Sequence, residues 1–248
     1  MSYIKLFTYN ILELGTVTVT GTPDTGFPEE RLYDRSIGFY WKYTNTGDIS
    51  IEVDQGASGN LAVDALIIDK HNFNGRTMHW EYSDNGSDWT PAVTSWAQGD
   101  NNQIVKTLSA AITHRYWRVR VISAVNPQCT EVYIGYGYPF QVRFDEPPEE
   151  SDLDNVVWEE TIGGLENSNK LGEERNLRSY SVFLDDGIGS SLTLWKTAKS
   201  YLDSYSKPFY LKDHEDNYKF SRFATIPRLQ FITGVQVLSR WEFREMLG

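Results

Sequence analysis

A single cysteine, Cys129, among 248 residues excludes an intramolecular disulfide. Its surroundings, CTEVYIGYG, read as a strand, so a small buried apolar side chain is expected there rather than a reactive thiol. Histidine is equally sparse. His71, His79, His114 and His214 stand in separate strand or loop contexts, and none forms the helical i, i+4 pair of a zinc hydrolase. Basic residues are outnumbered: 23 Lys and Arg against 34 Asp and Glu give a formal net charge of −11. That balance lacks the basic face that grips nucleic-acid phosphates, and it disfavours anionic membranes. No apolar run reaches the length of a membrane span. The opening MSYIKLFTYNILELG is too polar and interrupted for a signal peptide, so synthesis in a cytoplasm is expected.

What remains is a globular composition, 40% hydrophobic and 14% aromatic. The densest signal runs from Ala65 to Thr90. Leu66 and Ile68 open an apolar strand; Met78, Trp80 and Tyr82 then alternate with Thr77, His79 and Glu81, the period of a half-buried strand. Asp84-Asn85-Gly86 supplies residues that tolerate positive φ, and the chain reverses there. Trp117, Val119 and Val121 alternate with Arg118 and Arg120 in a further strand. Thr16–Thr20, Ile49–Val53, Ala65–Asp69, Thr77–Tyr82, Arg115–Ser123 and Glu131–Gly135 all read as short strands bounded by turn residues.

The phrases IIDKHNFNG, SDNGSDWT and RYWRVRV resemble the discoidin-like (coagulation factor 5/8 C-type, galactose-binding-like) jelly roll. The resemblance covers residues 1–140 and implies a binding domain without catalytic groups. An acidic, proline-containing stretch follows, Asp145 to Asp152, which reads as a linker over 141–155; a metal site is the sharper alternative for the same carboxylates. Residues 156–248 have another texture. Ser191–Tyr205 spaces Leu192, Trp195, Ala198, Leu202 and Tyr205 as an amphipathic helix, capped by Ser190 or Ser191 and stopped before Pro208. Phe209–Lys212 and Tyr218–Thr225 read as a hairpin across His214–Asn217. The fold class expected is therefore mainly β: a jelly-roll β-sandwich, then a β-rich domain carrying one helix.

The second half is similar in layout to bacteriophage minor and distal tail proteins. GGLENSNKLGEERNLRSYSV, the Lys207-Pro208-Phe209 step after the helix, and VQVLSRWEFREML carry that likeness. It implies a non-enzymatic virion component, made in the host cytoplasm, that forms homo-oligomers and joins other tail proteins through its second half. The alternative is a stand-alone glycan-binding module of a carbohydrate-active system.

Paired carboxylates are abundant at Glu159-Glu160, Glu173-Glu174 and Asp185-Asp186, and exposed turns are their expected setting; a glycosidase needs two that face each other across a cleft. Gly187–Gly189 opens no Rossmann unit. The ligand candidates lie in the long loop Phe27–Gly47, where the resemblance places docking. Tyr33, Tyr40, Trp41 and Tyr43 offer faces for sugar C–H surfaces, and Asp34 and Arg35 offer directional hydrogen bonds. Trp96 is a candidate in a second loop. Trp41 has the competing reading of filling the end of the core. No cofactor is required; a structural calcium held by Asp34 or Asp54 is what some relatives of the fold would imply. The partner expected outside the particle is a host-surface glycan, with no nucleic acid and no membrane insertion.

Overall fold

The computed structural model describes residues 3–21, 23–44, 46–57, 60–142, 149–153, 156–160, 166–170, 175–185, 190–232 and 236–246, with the side chains of 152–175 left aside. The chain forms two compact units, Tyr9–Gly137 and a second made of Met1–Thr8 with Tyr138–Leu247. This corrects the boundary expected from sequence. The strand Tyr3–Phe7 pairs with Tyr138–Gln141 on one side and Phe209–Lys212 on the other, so it belongs to the C-terminal unit. Ile4, Leu6 and Phe7 are buried there, but five residues are too few for their alternation to stand out in sequence.

The expected linker 141–155 is also partly structure. Residues 143–148 lie outside the described residues, whereas Glu149–Leu153 is a strand antiparallel to Arg175–Asp185. Repulsion among its acids is offset across the sheet. Arg178 forms ion pairs with Glu150 and Asp213, and Arg240 meets Glu149 at 2.5 Å.

Tyr9–Gly137 is an antiparallel sandwich. One sheet orders Thr16–Val19, Thr46–Asp54, Tyr116–Val125, Thr77–Ser83 and Thr90–Pro91; the other orders Glu131–Gly135, Ala62–Asp69 and Ile104–Thr113. Alternation puts Ile49, Ile51, Val53, Met78, Trp80, Trp117, Val119 and Val121 into the interior, as a half-buried sheet requires. Trp80 and Trp117 touch there with ring centroids 5.6 Å apart. On the outer face Arg118 stands between Glu52 and Glu81 in register. It hydrogen-bonds Glu81 at 2.6 Å and lies 3.8 Å over the Trp89 ring. The turn after Thr77–Ser83 is tied by Ser83 Oγ and Asn85 Oδ1, which accept four backbone N–H groups, while Gly86 takes φ 73°. Sequence patterning missed Ile104–Thr113, because its side chains are mostly exposed or half-buried and show no apolar alternation.

In the other unit the strand order is Tyr138–Gln141, Tyr3–Phe7, Phe209–Lys212, Tyr218–Phe223, Gln236–Glu245, Arg175–Asp185, Glu149–Leu153. A Val142–Val182 bridge brings the first of these back against Arg175–Asp185, so the sheet curls onto itself. The helix Ser191–Ser200 begins with Ser190 accepting the Thr193 N–H and buries Trp195 against Trp241, centroids 4.5 Å apart, and edge-on to Phe140. It stops five residues short of the expected Tyr205. Asp203, Ser204 and Tyr205 take φ of 44°, 55° and 71°, a left-handed run no α-helix accommodates. No described helix is long and apolar enough to cross a membrane.

One part of this unit departs from ordinary burial. Arg228–Phe231, paired with Gln236–Glu245, has every residue exposed. Phe231 is 63% and Ile226 69% exposed, with Leu229 and Ile232 beside them.

Trp195→Ala is expected to lower the unit's stability by about 3–5 kcal/mol, since it empties the centre of an aromatic core. Urea unfolding followed by tryptophan fluorescence measures this; a loss under about 1 kcal/mol contradicts the packing described.

Candidate functional site

The strand register collects four connections at one end of the sandwich. Thr46 stands opposite Val125, Thr77 opposite Ile122, Ile104 opposite Ile68, and Glu131 opposite Asp69. The segments 23–44, 70–76, 98–103 and 126–130 therefore meet. They are fastened to one another by directional bonds. Asn72 donates to the Asn126 carbonyl at 2.9 Å and accepts the Gln128 N–H at 3.0 Å. Asn101 Oδ1 accepts the Asn74 N–H at 3.0 Å, and the Pro127 carbonyl accepts the Tyr43 N–H at 3.0 Å. His71 accepts the Phe73 N–H through Nδ1 and meets the Asn102 carbonyl through Nε2 at 2.6 Å, which fixes the tautomer with its proton on Nε2. Burial lowers its pKa and keeps it neutral. His71 is a loop fastener. The other three histidines lie apart, His114 beside Asp84 and His214 beside Tyr180.

The 27–43 segment is anchored hardest. A 3₁₀ turn spans Glu29–Leu32 and buries Leu32. Arg35, at φ 58°, gives its N–H to Glu131 Oε2 at 3.1 Å and its guanidinium to Glu13. Asn10 completes the set, donating to the Val132 carbonyl at 2.7 Å and to Glu131 Oε1 at 3.4 Å. Burial raises the Glu131 pKa well above the ordinary carboxylate value, and the charges of Glu13 and Asp34 add to that. Trp41–Lys42 then pairs with Gln128–Cys129, and Cys129 is buried, with its thiol pKa pushed up by that burial.

These contacts redistribute the residues expected to bind. Trp41 is 0% exposed and offers no face to a ligand; it fills the core because Trp41–Lys42 is a strand whose first side chain points inward. The Arg35 guanidinium is held by Glu13. Asp34 is exposed and accepts the Ser36 N–H at 2.9 Å, while Tyr33 is half-buried beside Glu30 and Glu29. Tyr43 lies against Gly21, whose φ of 92° and bare Cα admit the ring. Trp96 is not on the open loop: it pairs opposite Met78, donates to Gln98 at 3.1 Å and has Lys106 4.5 Å over its ring. Of the candidate calcium carboxylates, Asp54 is held by Arg115 at 2.7 and 2.8 Å, which lowers its pKa to about 2. Among the described residues no three His, Cys, Asp or Glu side chains converge as a metal-ligand group. Asp185 caps Ser191; Asp186–Gly189, Glu173-Glu174 and the side chains of Glu159-Glu160 lie outside the described residues.

Tyr40 remains half-exposed, and the structure joins it to residues that sequence reading did not select. Phe39 is 57% exposed. The Arg31 guanidinium lies 5.0 Å from its ring centroid and 5.8 Å from that of Phe27, and Lys42 Nζ lies 5.7 Å from the Phe27 centroid. Arg31 also donates to the Tyr40 carbonyl at 3.5 Å. Phe27 and Phe39 are twelve positions apart with no periodicity between them, so only the 3₁₀ turn and the Arg35 anchor bring them together.

No family model matches the chain, and no curated protein does. Among solved structures, chitosan-binding module 1 from a Paenibacillus sp. IK-5 chitosanase/glucanase is 19% identical, with a TM-score of 0.43 over 52% of this chain and 99% of that one. CpGH89CBM32-6 from Clostridium perfringens is 21% identical, with a TM-score of 0.43 over 51% and 98%. The family 32 CBM of C. perfringens NanJ, in complex with galactose, is 14% identical, with a TM-score of 0.42 over 53% and 98%. At TM-scores below 0.5 these likenesses carry no functional argument; the residues of this chain must.

A buried acid whose folded pKa is raised contributes stability below its unfolded pKa and loses it as pH rises through the folded value. Glu131→Gln keeps one acceptor oxygen for the Arg35 N–H and removes the ionisation. The variant is expected to gain melting temperature relative to wild type as pH rises above the ordinary glutamate value of 4.5. Differential scanning fluorimetry from acid to neutral pH tests this; parallel curves would mean that Glu131 is ionised in the fold.

Proposed function

We propose that the Tyr9–Gly137 sandwich is a carbohydrate-binding domain whose saccharide docks on the face formed by Phe27, Arg31, Phe39 and Tyr40. One observation carries this: a large aromatic ring, Phe39, is left 57% exposed on a loop whose backbone is fixed from beneath by Glu131. Exposed aromatic faces accept the C–H surface of a sugar ring, and the neighbouring polar groups orient its hydroxyls. Holding the loop in one conformation before binding spares the ordering cost that a mobile loop incurs. On this proposal the sandwich binds its saccharide and does not transform it.

Phe39→Ala is expected to weaken saccharide binding about tenfold or more, as loss of a stacked ring costs about 1–2 kcal/mol, with melting temperature unchanged. A glycan array probed with the full chain identifies the ligand, and isothermal titration compares the variant. Undiminished binding by Phe39→Ala removes this face from consideration.

A second reading, assembly into a larger particle through the C-terminal unit, is favoured by the exposed strand Arg228–Phe231. Ile226, Leu229, Phe231 and Ile232 form an apolar group on a strand with a row of backbone groups open to pairing, a combination that soluble proteins usually cover or charge. If that strand mediates self-association, the full chain elutes as an oligomer by size exclusion with light scattering, and Phe231→Glu elutes as a monomer. A monomeric wild type at high concentration removes this reading.

A further inference from the structure

We infer that the saccharide taken by the 27–43 loop carries a carboxylate, making it a uronic-acid-type sugar whose anion is met by Arg31 and Lys42. This rests on the docking face proposed above. Two cations stand within 6 Å of the Phe27 ring centroid, Arg31 at 5.8 Å and Lys42 at 5.7 Å. Neither forms a salt bridge among the described residues, although the chain as a whole carries a net charge of −11. The nearby acids have hydrogen-bond partners of their own, and the Arg31 charge acts on Asp34 without a salt bridge among the described residues. Asp24 accepts the Thr44 N–H at 3.0 Å and its hydroxyl, Asp34 accepts the Ser36 N–H, and Glu13 and Glu131 hold Arg35. Burial raises the Tyr33 phenol pKa, and the charges of Glu30 and Glu29 add to that.

The geometry of Arg31 fits an anion that also presents an apolar face. Its guanidinium lies 5.0 Å from the Phe39 centroid and spends one N–H on the Tyr40 carbonyl, which leaves the remainder of a planar fork open beside an exposed ring. A planar carboxylate matches that fork with two parallel N–H···O bonds, and Lys42 adds a point charge. The like charges of Arg31 and Lys42 repel in the free protein, and a bound anion relieves that repulsion. A sugar ring bearing its carboxylate in the ring substituent presents both features at once, the C–H face to Phe39 and the anion to Arg31.

The test uses the full chain with three probes: an oligogalacturonide, the same oligosaccharide after reduction of its carboxyls to alcohols, and a sulfated galactan. Titration is expected to show binding of the oligogalacturonide at least about tenfold tighter than its reduced form. It should weaken as salt rises from about 0.05 to about 0.5 M, because the contact is between solvent-exposed charges. Arg31→Gln is expected to lose about tenfold on the oligogalacturonide and to leave the reduced form unchanged, with Lys42→Met losing less. Circular dichroism and melting temperature verify that both variants fold. Equal binding of charged and reduced forms, no effect of Arg31→Gln, or equal or tighter binding of the sulfated galactan overturns the carboxylate assignment. Neutral glycans bound in a Phe39-dependent way, without the oligogalacturonide, overturn this inference and leave the docking face standing. Binding of no saccharide at all overturns both.

Discussion

A carboxyl group buried at the edge of the smaller sheet governs the candidate site. Glu131 is 1% exposed, at a position where an unpartnered carboxylate would cost several kcal/mol. Its two oxygens are met by the Arg35 backbone N–H and the Asn10 amide. The Arg35 guanidinium is bound to Glu13, and its charge partly counters the rise in the Glu131 pKa. The raised pKa follows from burial, which favours the uncharged acid, and from the charges of Glu13 and Asp34. The same bond sets the loop. Arg35 sits at φ 58°, a conformation costing about 1 kcal/mol or more outside glycine, and the N–H···Glu131 bond is what holds it. From that fixed residue the chain runs on to Phe39 and into the Trp41–Lys42 strand. The exposed ring is therefore a consequence of a constraint some residues earlier.

The C-terminal unit obeys a different constraint. Its sheet needs Tyr3–Phe7, and that strand is separated from the rest of the unit by the whole of Tyr9–Gly137 in sequence. Closing the Val142–Val182 bridge surrounds Phe140, Trp195, Phe223, Trp241 and Phe243 with backbone whose hydrogen bonds are already made. Burial of so many aromatic rings in one core supplies the driving force for bringing together such distant segments. The loss of chain entropy on closing that long connection grows only logarithmically with its length.

Much of the fold was legible because it rests on period-2 alternation. Thr77–Ser83 and Tyr116–Val125 announce themselves through Met78, Trp80, Trp117, Val119 and Val121, and the Asn85-Gly86 turn through residues that tolerate positive φ. Ile104–Thr113 was illegible for the same reason, since an edge strand with exposed side chains has no apolar face to show. Tyr3–Phe7 shows alternation, but nothing local tells a strand which distant sheet it will join. The acidic stretch misled because charge repulsion was weighed without the arginines of Arg175–Asp185 and Gln236–Glu245, which face it only after folding. In the loop, residue type singled out Tyr33, Asp34, Arg35, Tyr40, Trp41 and Tyr43, whereas the ring left most exposed is that of Phe39. Whether an aromatic residue faces in or out there depends on the 3₁₀ turn and on Arg35, and neither has a sequence period.

Phe39, Tyr40 and Trp41 show how fine that division is. Three consecutive aromatic residues take three settings. Trp41, the largest, enters the core at 0% exposure, and Phe39 stays 57% exposed. Tyr40 lends its carbonyl to Arg31 between them. Within a strand, residues two apart share a face; Phe39 lies in a bend before the Trp41–Lys42 strand, and that bend turns its ring outward while Trp41 is buried. The hydrophobic gain from Trp41, about 25 cal/mol for each Å² removed from water, exceeds what Phe39 forgoes, because the indole is the larger surface. Arg31 then shields part of the exposed ring by lying over it, a contact worth about 0.5–1 kcal/mol at an exposed site. A cation held on an exposed aromatic face by Phe39 and the Tyr40 carbonyl, in no salt bridge among the described residues, suits a ligand that brings both an apolar face and a negative charge.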